Sequence, residues 1–529
     1  MIKWRIHLVS RALHGIKFNR IQSTNRGRIN TMSNPDLVLV NPGGRERIYQ
    51  QLGNELTAIE PPLWCRLIGG YVRDQGFEIV ILDSEAESMG TESVAKRIAE
   101  LNPKLIAMIV FGHQPSASTQ QMVAASDTTQ AIKAETPDIP VIFVGGHVSA
   151  LPEQTLREEM AEYACKGEGP ETVTGLLRAI NDGGSDEALA EVPGLVWDRD
   201  GQFTINKAAP LIKDLDAELH GNVWDLLPME KYRAHNWQCF GELENRIPYA
   251  SIYTSLGCPF KCIFCCINAP FDINRYRMRK PEKVVEEIAF LRETYGVKTF
   301  KIIDEMFVLN ERHVMAVCDG IIERGIDDLN IWAYARVDTV KPQMLEKLRK
   351  AGFQWLALGI ESGSDLVRDG ADKAFDQSDI IDIVRMIQSA GIKVAGNFIF
   401  GLPDDDLESM QATLDLAQEL NCEYANFYSA MAYPGSPLYA MAIQNDWPLP
   451  ESWAGYSQHS YDCRPLPTEK TSAAEVLRFR DQAFHTYFGD KRYLDMITQQ
   501  FGWDTRTHIE EMAVHRLKRL IVEELEAAE

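Results

Sequence analysis

The stretch Ser255-Leu-Gly-Cys-Pro-Phe-Lys-Cys-Ile-Phe-Cys265 decides the fold of this chain. It follows an apolar, strand-like run and places Cys258, Cys262 and Cys265 in a C-x3-C-x2-C array. Three thiolates in one short loop can hold three irons of a [4Fe–4S] cube and leave the fourth iron open to a small molecule. A structural zinc site is the alternative, but zinc usually takes four ligands in paired spacings. No second pair lies at a suitable distance, and adjacent cysteines such as Cys265 and Cys266 rarely fit one tetrahedron.

Composition limits the possible classes of function. A chain of 529 residues with 45% hydrophobic and 25% charged residues is predicted to form several ordinary globular domains. Its net charge of −22 argues against nucleic acid or an anionic membrane as the main partner. No apolar run approaches the length of roughly 18 residues that a membrane-spanning helix needs. Ten cysteines without a signal peptide indicate a reducing cytoplasm and thiols used for chemistry.

Residues 1–33 differ from the rest because they are basic and contain no acidic side chain. Such a leader could be a membrane-surface helix or a transit-like segment. A disordered extension, or a true start at Met32, is the reading that we favour.

Strands alternate with helices from Asp36 to about residue 180, which predicts parallel βαβ units in a doubly wound sheet. Such sheets bind ligands at the carboxyl ends of their strands. In this half of the chain the predicted strand ends carry Asn41, Pro42 and Gly43; Glu85; His113; Gly145, Gly146 and His147; and Gly167, Glu168 and Gly169.

Six further βα units follow from Tyr249, and they predict a partial parallel (β/α)6 barrel with its chemistry at the carboxyl ends of the strands. Polar residues or glycines mark those ends: Asp304, Glu305, Arg336, Glu361, Ser362, Gly396 and Gly401. Each alone could be a strand-end cap. Their order after the cysteine loop favours a shared site.

The cysteine loop, with Phe264 before its last cysteine, resembles that of the radical S-adenosylmethionine (SAM) superfamily. The resemblance implies a [4Fe–4S] cluster at the three cysteines and SAM bound to its open iron. It further implies that Asp304 and Glu305 hold the methionyl amine and that Gly396 and Gly401 lie beside the adenine, although the spacing here is G-x-x-I-x-G. Phe264, Arg336, Glu361 and Ser362 complete the implied SAM site.

The stretches Val144–Glu153 and Lys166–Glu171 resemble the cobalamin-binding module that precedes many radical SAM cores. The strand-end residues of the first sheet are then the implied cobalamin contacts. One departure matters: Glu85 stands where the family's D-x-H-x-x-G signature has the histidine that ligates cobalt. A sheet that has lost its cofactor is the alternative.

These observations predict a basic extension (1–33), a cobalamin domain (34–180), a linker (181–245), a radical SAM core (246–431) and a mostly helical C-terminal cover (432–529). The resemblance implies a cobalamin-dependent radical SAM enzyme that methylates a carbon of a small biosynthetic intermediate. Cyclisation, ring contraction or oxidation are alternatives, and so is a non-catalytic cobalamin or redox sensor. The expected electron donor is a flavodoxin or ferredoxin, and the expected location is the cytoplasm.

Overall fold

The computed structural model describes residues 34–44, 50, 57–112, 114, 117–199, 201–373 and 376–528. The basic extension and His113 lie outside the described residues. Within this part of the chain, no helix is both long and apolar enough to cross a membrane.

The first sheet has seven strands in the order β2-β1-β3-β4-β5-β6-β7. Its strands are β1 (Leu37–Asn41), β2 (Ile79–Asp83), β3 (Leu105–Val110), β4 (Val141–Gly145), β5 (Tyr163–Cys165), β6 (Leu195–Arg199) and β7 (Gln202–Ile205). The first five are parallel, whereas β6 and β7 add antiparallel. All residues of β1 and β3 are buried, as expected for parallel strands covered by helices on both faces.

Strand order reverses at β1, whose neighbours are β2 and β3. The carboxyl ends of β1 and β3 therefore border the crevice where doubly wound sheets bind ligands. The helices of this half are Leu63–Asp74, Thr91–Leu101, Ala117–Glu135, Gly146–Ala150, Pro152–Glu158, Pro170–Asn181, Asp186–Ala190 and Leu215–Glu218. The prediction of a doubly wound sheet is confirmed. The β6–β7 hairpin, which the sequence places in a linker, extends this sheet beyond residue 180 because β6 pairs with β5.

The second sheet has six parallel strands in the order β15-β14-β13-β12-β11-β8. They are β8 (Tyr249–Ile252), β11 (Thr299–Ile302), β12 (Asn330–Arg336), β13 (Phe353–Glu361), β14 (Lys393–Phe400) and β15 (Tyr424–Ser429). Two short strands, β9 (Ser255–Leu256) and β10 (Arg277–Met278), pair on either side of the cysteine loop. The helices are Pro281–Tyr295, Glu311–Glu323, Pro342–Lys350, Asp365–Gly370, Gln377–Ser389 and Leu407–Leu420. The predicted partial barrel is confirmed.

The C-terminal region is mostly helical, as predicted, with helices Pro437–Gln444, Ala473–Phe488, Lys491–Phe501, Trp503–Val514 and Leu520–Ala528. Helix Ala473–Phe488 packs on the edge strand β15. Arg480 Nε donates to the carbonyl of Phe427 at 2.7 Å, and the Tyr487 hydroxyl donates to the carbonyl of Cys422 at 2.6 Å. These bonds tie the C-terminal region to the barrel edge.

A buried charge network joins the two sheets. Arg66, in the helix after β1, is fully buried and contacts Glu287 of the barrel helix Pro281–Tyr295 at 3.3 Å. Arg279 contacts the other oxygen of Glu287 at 2.5 Å. The indole of Trp224 donates to Glu287 at 3.1 Å and lies 3.5 Å from the Arg66 guanidinium. Removing the Glu287 carboxylate would leave the buried Arg66 without this counter-ion, so the network fixes the first sheet against the barrel.

Candidate functional site

A cavity of about 620 Å³ lies between the two sheets and continues into the barrel. The first sheet contributes Asn41, Pro42, Gly43, Glu85, Gly112 and Gln114 to its wall. The barrel contributes the three cysteines, Phe264, Glu305, Arg336 and Glu361. The cavity thus brings together residues that are far apart in the sequence.

The three thiols of the cysteine loop face this cavity. Burial raises the pKa of Cys258 to about 11 and also raises the pKa of Cys262 and Cys265. Thiolates at this position therefore require positive charge, which cluster irons supply. Arg336 adds to it, because its Nη1 lies 3.7 Å from the sulfur of Cys262. The thiols fit a [4Fe–4S] cluster.

The neighbours Asp304 and Glu305 differ in environment. The Asp304 carboxylate is 1% exposed and accepts three hydrogen bonds from Thr254 and Ser255 at the start of the cysteine loop. The Glu305 side chain lines the cavity, and its Oε2 is buried without a hydrogen-bond partner among the described residues. Desolvation, with a smaller effect from Asp304, raises the pKa of Glu305 to about 8. A buried carboxyl beside the cysteines, with one oxygen that lacks a partner in this part of the chain, fits the ammonium of SAM.

Two cations flank the cysteine loop on the barrel side. Besides its contact with Cys262, Arg336 lies 3.9 Å above the ring of Phe260 and pairs with Asp338 at 2.9 Å. Lys373 forms an ion pair with Glu361 and lies 5.9 Å from the ring of Phe264. A Cβ at Gly359 would come within 2.6 Å of Glu361 and 2.5 Å of Lys373, so glycine makes room for this pair.

The other predicted SAM residues lie behind the cavity wall. The hydroxyl of Ser362 is fully buried and lies 3.1 Å from that of Thr413. Gly396 lies against Phe398 and Cys422, and Gly401 packs against Val476 of the C-terminal region. Their contact with SAM stays a prediction.

On the side of the first sheet, Asp83 organises the loop after β1. Its carboxylate accepts from the amide of Asn41 and from the hydroxyl of Tyr232, both at 2.8 Å. The next residue, Ser84, accepts from the backbone N–H of Gly43 at 2.7 Å. Burial raises the pKa of Asp83 to about 6. These bonds hold Asn41, Pro42 and Gly43 at the cavity wall beside Glu85.

Carboxamides complete this wall. Gln114 donates to the hydroxyl of Tyr334 and Gln120 to that of Tyr433, each at 3.3 Å. Gln121 Oε1 is buried with no hydrogen-bond partner in the described part of the chain. Because a corrin ring carries amide side chains around its rim, an amide-rich wall with an unpaired oxygen fits cobalamin.

The remaining predicted cobalamin residues lie deeper in the first domain. The ring of His147 is 1% exposed, contacts the hydroxyl of Thr119 at 3.2 Å and lies 4.4 Å from the ring of Trp453. Burial lowers the pKa of His147 to about 3. Its neighbours Gly145 and Gly146 end β4 and begin the helix that carries it.

The loop after β5 is held by contacts within the protein. Gly167 exchanges hydrogen bonds with the hydroxyl of Ser149, and Gly169 packs against Val144. Both oxygens of Glu168 are bound by Arg277, at 2.5 and 3.2 Å, so this carboxylate joins the first domain to β10. Cobalamin contacts from this loop and from Gly145–His147 stay predictions.

Sequence reasoning missed a buried ion pair at the wall of the cavity. Lys301, on β11, is 1% exposed and lies 3.0 Å from Glu60, which also accepts from the hydroxyl of Tyr249 at 2.5 Å. The sequence did contain a signal for this pair, namely a single lysine within a buried strand, because a buried lysine usually has a charged partner. Its partner could not be read, because 241 residues separate the two side chains.

Comparisons with known proteins agree with this geometry. A family model described as "B12 binding domain" matches residues 50–177. A model described as "Radical SAM superfamily" matches residues 252–417. The first segment contains the carboxyl ends of β2 to β5 and begins after β1, and the second contains the cysteine loop.

Curated relatives and solved structures share both parts. The "Uncharacterized methyltransferase PH0819" of Pyrococcus horikoshii is 30% identical over 398 residues, which are 75% of this chain and 82% of that protein. The anaerobic magnesium-protoporphyrin IX monomethyl ester cyclase of Cereibacter sphaeroides is 26% identical over 76% of this chain and 63% of its own length. The structure of the radical SAM methyltransferase TsrM from Kitasatospora setae, with cobalamin and a [4Fe–4S] cluster bound, has a TM-score of 0.64 at 20% identity, covering 87% of this chain and 90% of that one. With its cobalamin-type sheet facing a three-cysteine barrel, the chain belongs to the family of cobalamin-dependent radical SAM enzymes.

Proposed function

We propose that this enzyme transfers a methyl group to an unactivated carbon of a small biosynthetic intermediate. One observation carries the proposal: the cysteine loop and the cobalamin-type loops line the same cavity. A substrate between them would be within reach of both cofactors. When bound, the cluster with SAM supplies a 5′-deoxyadenosyl radical that removes hydrogen from carbon, and methylcobalamin supplies the methyl group.

The chain's own residues would bind SAM and exclude water. Glu305 would pair with the SAM ammonium, and this interaction is stronger in a dry cleft than at the surface. Arg336 would stay beside Cys262 and favour the thiolate form. Trp332, Tyr334 and Tyr428 line the barrel part of the cavity and would shield a reactive carbon from solvent.

The names of the relatives support methyl transfer, but they also leave a reaction without methyl transfer as a second candidate. Two of the three similar proteins described above are named methyltransferases, whereas the third is named a cyclase. Cyclisation, ring contraction or oxidation without methyl transfer is therefore the second candidate function. A small substrate is consistent with the cavity volume and with the tryptophan substrate bound in a TsrM structure.

The test uses anaerobically reconstituted full-length protein, a chemical reductant and SAM that carries a deuterated methyl group. Formation of 5′-deoxyadenosine would distinguish an enzyme from a sensor. With a small-molecule extract as substrate source, we expect a product that carries a trideuteromethyl group, detected by mass spectrometry. A product that depends on 5′-deoxyadenosine formation but lacks the label would favour the cyclase-type alternative. The Cys262→Ala protein is the control, and reduced flavodoxin or ferredoxin can replace the chemical reductant to test the proposed donor.

A further inference from the structure

The Asp304 carboxylate contacts the first residues of the cysteine loop. Its Oδ1 accepts from the backbone N–H of Thr254 at 2.6 Å. Its Oδ2 accepts from the hydroxyl of Thr254 at 2.5 Å and from that of Ser255 at 2.6 Å. The bonds therefore link the end of β11 to the segment that leads from β8 into the loop.

Other contacts continue this restraint. The Thr254 hydroxyl also lies 3.1 Å from Nε2 of the buried His313. The carbonyl of Thr254 accepts from the backbone N–H of Arg279 at 2.8 Å, next to the β9–β10 pair. Thr254 is thus fixed through its backbone and its side chain.

The chain then turns sharply into the first cysteine. Gly257 has φ +82°, and a Cβ there would lie 2.2 Å from the carbonyl oxygen of Arg275. On the far side of the turn, the Asn268 amide donates to the carbonyl of Cys258 at 3.1 Å. The backbone around Cys258 is therefore held by Asp304 before the turn and by Asn268 after it.

We propose that Asp304 is a positioning residue that holds the cysteine loop in the form that accepts the cluster, and that it takes no part in the ammonium contact proposed above for Glu305. This division of roles between Asp304 and Glu305 follows from the hydrogen bonds that their carboxylates make. Asp304 has its two oxygens occupied by three donors, whereas Glu305 has one buried oxygen without a partner among the described residues. The inference rests on the cluster site and not on which group the enzyme transfers.

Three substitutions separate the two roles, because hydrogen bonding and charge can be removed independently. Asp304→Asn loses the charge, but its amide oxygen can still accept from the Thr254 N–H and its NH2 can donate to the two hydroxyls. Asp304→Ala loses all three bonds. Glu305→Gln loses the charge of the proposed ammonium partner, while its amide oxygen can still accept the backbone hydrogen bond from Gly257 of the loop. Asp382→Asn, on an exposed helix position, is the matched control.

The readouts are iron and sulfide content after anaerobic reconstitution, the electron paramagnetic resonance (EPR) spectrum of the reduced cluster, and SAM affinity from the change in that spectrum on titration. We expect a severalfold loss of iron in Asp304→Ala, and wild-type iron and SAM affinity in Asp304→Asn. In Glu305→Gln we expect full iron and roughly tenfold weaker SAM binding, because a charge-assisted bond is about twice as strong as a neutral one.

Loss of SAM affinity with full iron in Asp304→Asn would overturn the proposal and assign the ammonium to Asp304. Full iron with an unchanged spectrum in Asp304→Ala would also overturn it. Should Asp304→Ala fail to fold, Ser255→Ala and Thr254→Val each remove one hydroxyl from the other side of the same contact. An intermediate loss of iron in both would support the proposal, and wild-type iron in both would refute it. None of these readouts depends on methyl transfer, so the proposed function can fail independently.

Discussion

Replacing Asp83 by Asn should stabilise the protein at neutral pH and leave its stability at acidic pH nearly unchanged. The Asp83 carboxylate is 1% exposed and accepts hydrogen bonds from neutral groups: the Asn41 amide, the Tyr232 hydroxyl and the N–H of Ala86. Burial raises its pKa from 3.8 to about 6. An asparagine in this place can accept from Asn41 and Ala86 through its oxygen and donate to the Tyr232 oxygen.

The sign follows from proton binding. Because the folded state binds this proton more tightly than the unfolded state, wild-type stability falls as pH rises from about 4 to about 6. The difference of about two pH units, at about 1.4 kcal/mol per unit, corresponds to about 3 kcal/mol. The amide does not titrate, so Asp83→Asn should avoid this loss.

Urea unfolding of both proteins across this pH range measures the effect. We expect the difference in unfolding free energy to grow from near zero at about pH 4 to about 3 kcal/mol above about pH 7. Titrating groups that do not interact with Asp83 are common to both proteins and cancel in the difference. Asp382→Asn, which removes a carboxylate at an exposed helix position, is the control for the substitution itself. A difference between wild type and Asp83→Asn that is flat with pH would refute the reasoning.

Three further predictions concern the cavity. Cys262→Ala should fail to bind the cluster and should form no 5′-deoxyadenosine, whereas Cys318→Ala and Cys422→Ala should bind the cluster and form 5′-deoxyadenosine. Wild-type 5′-deoxyadenosine from Cys262→Ala, measured by liquid chromatography, would contradict the cluster assignment. Because Glu85 supplies no imidazole, bound Co(II)-cobalamin should show no nitrogen splitting in its EPR spectrum, and a triplet on each cobalt line would reveal a nitrogen ligand. Lys301→Met should cost about 3–5 kcal/mol in urea unfolding, since it leaves the buried Glu60 without this cation, and the double variant with Glu60→Met should recover much of that loss; equal losses in both would contradict the pairing.

The sequence predicted the binding edges of both sheets because parallel strands place their carboxyl ends on one side. Asn41 and Glu85 could therefore be assigned to one binding edge, and Arg336 and Glu361 to the other, from their positions after strands. It could not predict which neighbour at the end of β11 faces the cavity, because that depends on where Thr254 and Ser255 lie in space. Lys373, the ion-pair partner of Glu361, was missed because this contact also depends on how the chain folds in space.

The hairpin of β6 and β7 shows the same limit at the level of the fold. Its turn could be read from Asp198 to Gly201, since turn residues act locally. Its pairing with β5 could not, because strand partners are chosen by packing between distant segments.

The network of Arg66, Glu287, Arg279 and Trp224 has a consequence for how this family can be recombined. Exchanging the cobalamin half for that of a relative would bury Glu287 opposite a foreign side chain, unless the incoming helix also carries an arginine at the position of Arg66. The two halves are therefore expected to co-vary at these positions, and functional chimeras should need the arginine, the glutamate and the tryptophan to be transplanted together. Residues of the cavity wall could therefore change more freely during selection for a new substrate than the residues of this buried charge network.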